Sequence, residues 1–130
     1  MREIKFRAKR IDNGEWVHGY YTKYSPAAKG DVIEAERDDY DIDPASVGQF
    51  TGLKDIHGVE IYECDVVELT IDDGISYNAL IVYKDGGFCA IDGTDEDYAI
   101  RVYGIMRCDY DVKVIGNLFD NPELIKTIDN

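Results

Sequence analysis

Val47-Gly48-Gln49-Phe50-Thr51-Gly52-Leu53-Lys54-Asp55-Ile56-His57-Gly58-Val59-Glu60-Ile61-Tyr62-Glu63-Cys64-Asp65-Val66-Val67 is the stretch on which the reading of the fold turns. Val47 to Thr51 can run extended, Lys54 to Gly58 has the composition of a hairpin loop, and Val59 to Tyr62 returns from it. Val66 to Ile71 follows as a clear strand. Gly48, Gly52 and Gly58 are spaced for turns. The stretch lacks the strand–loop–helix frame and the Lys-Ser/Thr ending of a phosphate loop. Turn-making is the plain role of these glycines. Loops carry recognition more often than cores do, so Phe50, Thr51, Gly52, Leu53 and Lys54 form a candidate recognition loop.

The same punctuation extends in both directions. Towards the C-terminus, Asp72-Asp73-Gly74 turns the chain into Tyr77 to Tyr83, and Asp85-Gly86-Gly87 turns it into Phe88 to Ile91. Asp92 to Asp97 reads as an acidic loop, Tyr98 to Arg107 as either strand or helix, and Val112 to Leu118 as a strand. Asn121-Pro122-Glu123 has the order of a helix start and is expected to cap a short helix with Leu124 and Ile125. Towards the N-terminus, Ile4, Phe6 and Ala8 alternate with Glu3, Lys5 and Arg7, the period of a half-buried strand. Asp12-Asn13-Gly14 is a tight-turn sequence, so Trp16 to Tyr24 pairs back as a hairpin. Val32 to Glu36 is a short strand, Asp38 to Asp43 an exposed acidic segment, and Asp43 the cap of a single helical turn that begins at Pro44. These short strands imply a mainly β, antiparallel barrel or sandwich with short helical turns, in a single domain over residues 1–130. Phe6, Trp16, Ile61, Val66, Leu80, Val82, Ile91, Val114 and Ile115 are expected in its core.

Charge bears on partners. The net charge is −13. Arg2, Lys5, Arg7, Lys9 and Arg10 against Glu3 make the first ten residues +4, which leaves −17 on the rest. Such a body repels phosphate, so nucleic acid is not an expected partner, although Arg2, Lys5 and Arg7 keep a basic N-terminal strand in view as the alternative contact. No apolar run reaches the roughly 20 residues of a membrane span, and the N-terminus has no signal-peptide core. A cytoplasmic chain without membrane contact is the expectation. Cys64, Cys89 and Cys108 are odd in number, far apart and without a Cys-x-x-Cys pair, so they are expected as thiols.

Two further stretches belong with the central one. These are Arg2-Glu3-Ile4-Lys5-Phe6-Arg7-Ala8 and Val114-Ile115-Gly116-Asn117-Leu118-Phe119-Asp120-Asn121-Pro122-Glu123-Leu124. Together, and in this order, the three resemble the YopX family of phage and prophage proteins. The resemblance implies a mainly β, partly closed SH3-like barrel, a bacterial host cell and a phage or prophage origin. It implies no activity. In one place the sequence departs from the family pattern: Cys64 stands where the family usually has Gly. A Gly there would permit positive φ, so Cys64 either bears that conformation or is ordinarily extended.

Catalytic chemistry finds no foothold. His18 falls in a strand, where packing against Trp16 and Tyr20 is expected, and His57 falls in a turn. Ser25, Ser46 and Ser76 lie outside any nucleophile elbow. Asp38, Asp39, Asp41 and Asp43 do not meet the calcium-loop pattern, which needs Gly at its sixth position and Glu at its twelfth; those places hold Asp43 and Gln49. The run Asp95-Glu96-Asp97 fails likewise. No catalytic residue, cofactor or metal is expected. The leading expectation is a non-enzymatic accessory protein that binds another protein or itself, as a homo-oligomer. The alternative is an acidic DNA mimic that inhibits a host DNA-binding protein.

Overall fold

Alternating apolar residues become strands wherever one face of the pleat can be covered. In the computed structural model, which describes residues 4–26, 30–35, 38–70, 74, 76–84, 86–92, 100–101 and 111–125, the strands fall in two antiparallel sheets. The strands are β1 (Phe6–Lys9), β2 (Trp16–Ser25), β3 (Gly30–Ala35), β4 (Asp38–Asp41), β5 (Gly48–Lys54), β6 (Glu60–Tyr62), β7 (Asp65–Thr70), β8 (Ser76–Lys84), β9 (Gly87–Asp92), β10 (Ile100–Arg101) and β11 (Asp111–Asn117). The first sheet has the order β4-β3-β2-β1-β5-β6 and the second β10-β9-β8-β7-β11. Helix among the described residues is confined to the 3-10 turns Pro44–Ser46 and Pro122–Leu124. The mainly β, antiparallel expectation holds. Arg2, Asp72, Asp73, the segment 93–99, residues 102–107 and Cys108 lie outside the described residues, so the acidic run Asp95-Glu96-Asp97 and most of Tyr98 to Arg107 do too. Cys64 is half-buried and Cys89 buried, both as thiols.

The chain divides into two compact units, Met1–Gly52 and Leu53–Asn130. In the first, β1 and β2 form the expected hairpin, with Phe6 opposite Gly19 and Lys9 opposite Trp16. Its turn is closed by Arg10 N donating to Glu15 O and Gly14 N to Arg10 O, with Gly14 at φ 72°. Ala8, Ile33 and Ile42 make the core, and Phe6, Val17, Tyr21, Ala35, Tyr40 and Val47 pack around them. The acidic segment Asp38–Asp41 is exposed but paired: Tyr40 lies opposite Ile33 and anchors the strand. Beyond it, Ile42 bridges to Arg10, flanked by Ile11 N donating to Asp41 O (3.0 Å) and Asp43 N to Lys9 O (2.9 Å). The sheet thus curls until the end of β4 meets the end of β1. One bridge makes this a partial closure and not a closed barrel. Asp43 caps the following turn by accepting from Ala45 N, as its sequence predicts.

The second unit is built on β7, β8, β9 and β11. Val67 faces Ala79 and Val114, and Leu80 faces Ile91. Ile61, Val67, Leu69, Ala79, Ile81, Ala90 and Val112 make its core, with Leu53, Tyr77, Phe88 and Val114 against it. A bulge between Val114 and Gly116 re-aims β11. A Cβ at Gly116 would meet the Asn121 side chain at 2.5 Å, so a larger residue there would have to displace it. Asn121 does not cap its turn: its Oδ1 accepts from Asn117 N (3.3 Å) instead. Of the residues expected in the core, Ile61, Val66 and Ile91 are buried, while Phe6, Trp16, Leu80, Val82, Val114 and Ile115 are half-buried.

Candidate functional site

Phe50, Thr51, Gly52, Leu53 and Lys54 are not a loop; all five lie in β5. Pairing takes them because Phe50 N donates to Lys5 O (2.9 Å) beside the ladder from β1. Phe50 and Thr51 are buried, and the Lys5 ammonium stands 5.1 Å from the Phe50 ring. Leu53 packs on the second core. Gly52, at φ 91°, and Lys54 are the exposed members. Recognition by the side chains of Phe50 or Thr51 would need surface that they do not present.

The loop lies one step later, at Asp55 to Val59. Asp55 is buried, and its carboxylate accepts three backbone N–H groups. His57 N (2.8 Å) and Val59 N (2.9 Å) donate to Oδ1, and Val114 N (2.9 Å) donates to Oδ2. Burial pushes this carboxyl up, but the N–H groups of Val114, Val59 and His57 outweigh it and hold it below the usual carboxylate range. Ile56 N also donates to Val112 O (3.0 Å). The loop so fixed displays Ile56, His57 and Val59. His57 is the solvated turn residue its sequence predicts. The next turn repeats the device, with buried Asp65 accepting from Tyr62 N (2.7 Å). Cys64 occupies that turn at φ 73°, its N–H on Ile81 O (2.7 Å) and its C=O taking Leu118 N (2.9 Å).

In the first unit, Trp16, His18, Tyr20 and Thr22 alternate onto one face of β2; beyond Thr22 the register with β3 shifts, and Tyr24 takes φ 51° at that irregularity. Tyr20 is 70% and Tyr24 64% exposed. His18 is exposed as well, contrary to the expected packing between Trp16 and Tyr20, because Tyr20 points to solvent. The Arg7 guanidinium lies 4.6 Å, and the Lys9 ammonium 5.4 Å, from the Trp16 ring. Asp31 holds the outer end of β2: it accepts from the Tyr21 hydroxyl (2.6 Å) and from Tyr24 N (2.9 Å). Burial first, then the Asp31 carboxylate, pushes the Tyr21 phenol up to about 12.

An open pocket of about 320 Å³ lies where the first sheet parts beyond the Arg10–Ile42 bridge. Arg10, Ile11, Asp12 and Asp38 to Asp41 line it. Arg10 donates from Nε to Asp12 Oδ1 (2.9 Å), forms an ion pair with its Oδ2, and stacks 4.6 Å from the Tyr40 ring. Among the described residues, no group of three or more His, Cys, Asp or Glu side chains is placed to hold a metal ion. No helix among them is long and apolar enough to cross a membrane.

No curated protein matches the chain. Among solved structures it is similar to the crystal structure of protein EF1440 from Enterococcus faecalis. The identity is 24%, over 97% of this chain and 100% of that one, with a TM-score of 0.59. That likeness bears on the fold alone. A family model described as YopX protein matches residues 5–126, which include the first stretch from Lys5 onward, the whole of the other two, and the turns built on Asp55 and Cys64. The chain belongs to the YopX family.

Proposed function

We propose that the chain is a non-enzymatic module that binds another protein or a second copy of itself. The supporting observation is the pair of exposed tyrosines on β2, Tyr20 in the ladder with β3 and Tyr24 at the irregularity that ends it. Tyrosine is a strong interface anchor, and a paired strand loses little freedom on binding. Some of the acid in the chain has an architectural use: Asp31, Asp43, Asp55 and Asp65 each accept backbone N–H groups. This leaves fewer carboxylates for the DNA-mimic alternative. Light scattering across micromolar concentrations is the test, together with the Tyr20→Ser/Tyr24→Ser variant. The expected result is a homo-oligomer that the double variant disrupts. A monomer at every concentration that also recovers no protein from a bacterial lysate would remove the proposal.

A further inference from the structure

We propose that β4 is a docking edge for an extended lysine- or arginine-bearing segment of another protein, which adds beside Asp38 and Asp39, short of the point where Ile11 already pairs with Asp41. This rests on the protein-binding reading above and names the partner's chemistry. β4 stands at the end of its sheet. The hydrogen bond from Ile42 N to Asp31 O (3.2 Å) fixes the phase of its ladder with β3. In that phase Tyr40 pairs its backbone with Ile33 and Asp38 with Ala35, so the N–H and C=O of Asp39 and Asp41 point away from β3. One of these groups is engaged by the closure, Asp41 C=O by Ile11 N. The outward groups of Asp39 are placed to receive a strand.

Charge chooses the occupant. Asp38, Asp39 and Asp41 are all exposed, and Glu34 lies opposite Asp39 on β3. Among the described residues that line the adjoining pocket the cation is Arg10, and it is bound to Asp12. A second copy docking by the same edge would set these aspartates against themselves, which is destabilising. A basic strand meets them with opposite charge. The adjoining pocket, with Ile11 67% exposed and Tyr40 beneath Arg10, has room for the stem of a long cationic side chain.

The test uses an eight-residue peptide of alternating Lys and Val, labelled for fluorescence anisotropy, with a Glu–Val peptide as control. The full chain should bind the first and not the second, more weakly as salt rises. The Asp38→Asn/Asp39→Asn/Asp41→Asn variant should lose at least about tenfold in affinity, as one lost charge-assisted contact already would. Asp39→Pro removes an outward N–H without breaking the β3 ladder, and should lose a similar factor while its far-UV spectrum stays unchanged. Unchanged binding to either variant, or no binding of the Lys–Val peptide, overturns the proposal. If the peptide fails while association through Tyr20 and Tyr24 persists, the edge is wrong and the protein-binding reading stands. If both fail, the reading falls with it.

Discussion

Cys64 has a left-handed backbone, φ 73°, which an L side chain adopts at a cost of about 1–2 kcal/mol. Its N–H and C=O are both used, so the turn cannot relax without breaking bonds to Ile81 and Leu118. Of the two conformations the sequence allows, Cys64 therefore bears the strained one. Cys64→Gly should raise stability by about 0.5–1 kcal/mol, the strain relieved less the backbone entropy of glycine. Urea unfolding checks this; a lower midpoint would contradict it. Asp55 is the opposite case, a buried charge that is fully used. Asp55→Asn puts an amide N–H₂ where Val114 N needs an acceptor, or leaves His57 N and Val59 N unpaired. It should cost about 2 kcal/mol by the same measurement.

Strands approach one another as closely as their side chains allow, and β2 meets β3 at Gly19. A Cβ at that position would run into the backbone carbonyl of Glu34. Gly19→Ala should therefore push the strands apart and destabilise by about 2 kcal/mol, read as a lower melting temperature. The elements differ in how far the sequence announces them. The β1–β2 hairpin was legible from Asp12-Asn13-Gly14, and the Asp43 turn from its Pro44, because those signals are local. β4 was not, since an acidic run has poor strand propensity and is held by tertiary anchors: Tyr40 in the ladder and Ile42 in the core. Gly52 misled in the other direction, because a glycine at positive φ can sit inside a strand as well as in a turn. The displayed loop at Asp55 was visible as a hairpin. Its link to Val114, 59 residues away, was not.

A chain with a net charge of −13 answers to pH at both ends of the scale. Asp55, Asp31 and Asp12 all titrate below the usual carboxylate value, held there by backbone donors, by Tyr21 and by Arg10 respectively. In acid the unfolded chain then binds more protons than the folded one. The stability these groups confer is present above an ordinary carboxylate pKa of about 4 and is lost as pH falls through the lower folded values. Tyr21 gives the opposite slope. With its phenol raised to about 12, its contribution is complete below the ordinary value of about 10 and disappears as pH rises towards 12. Urea midpoints should fall on both sides of a broad plateau, and Tyr21→Phe should flatten the alkaline limb and, by removing the donor that holds Asp31 low, weaken the acid limb as well. The bridge between Arg10 and Ile42 has a consequence in time. The bridge joins residues far apart in the chain, whereas the β1–β2 hairpin is local, so the closure forms after that hairpin. Two adjacent amides keep separate clocks. Arg10 N is protected by Glu15 O as soon as the first hairpin forms, while Ile11 N waits for Asp41 O. Pulse-labelling with deuterium during refolding should find the amide of Arg10 protected while that of its neighbour still exchanges.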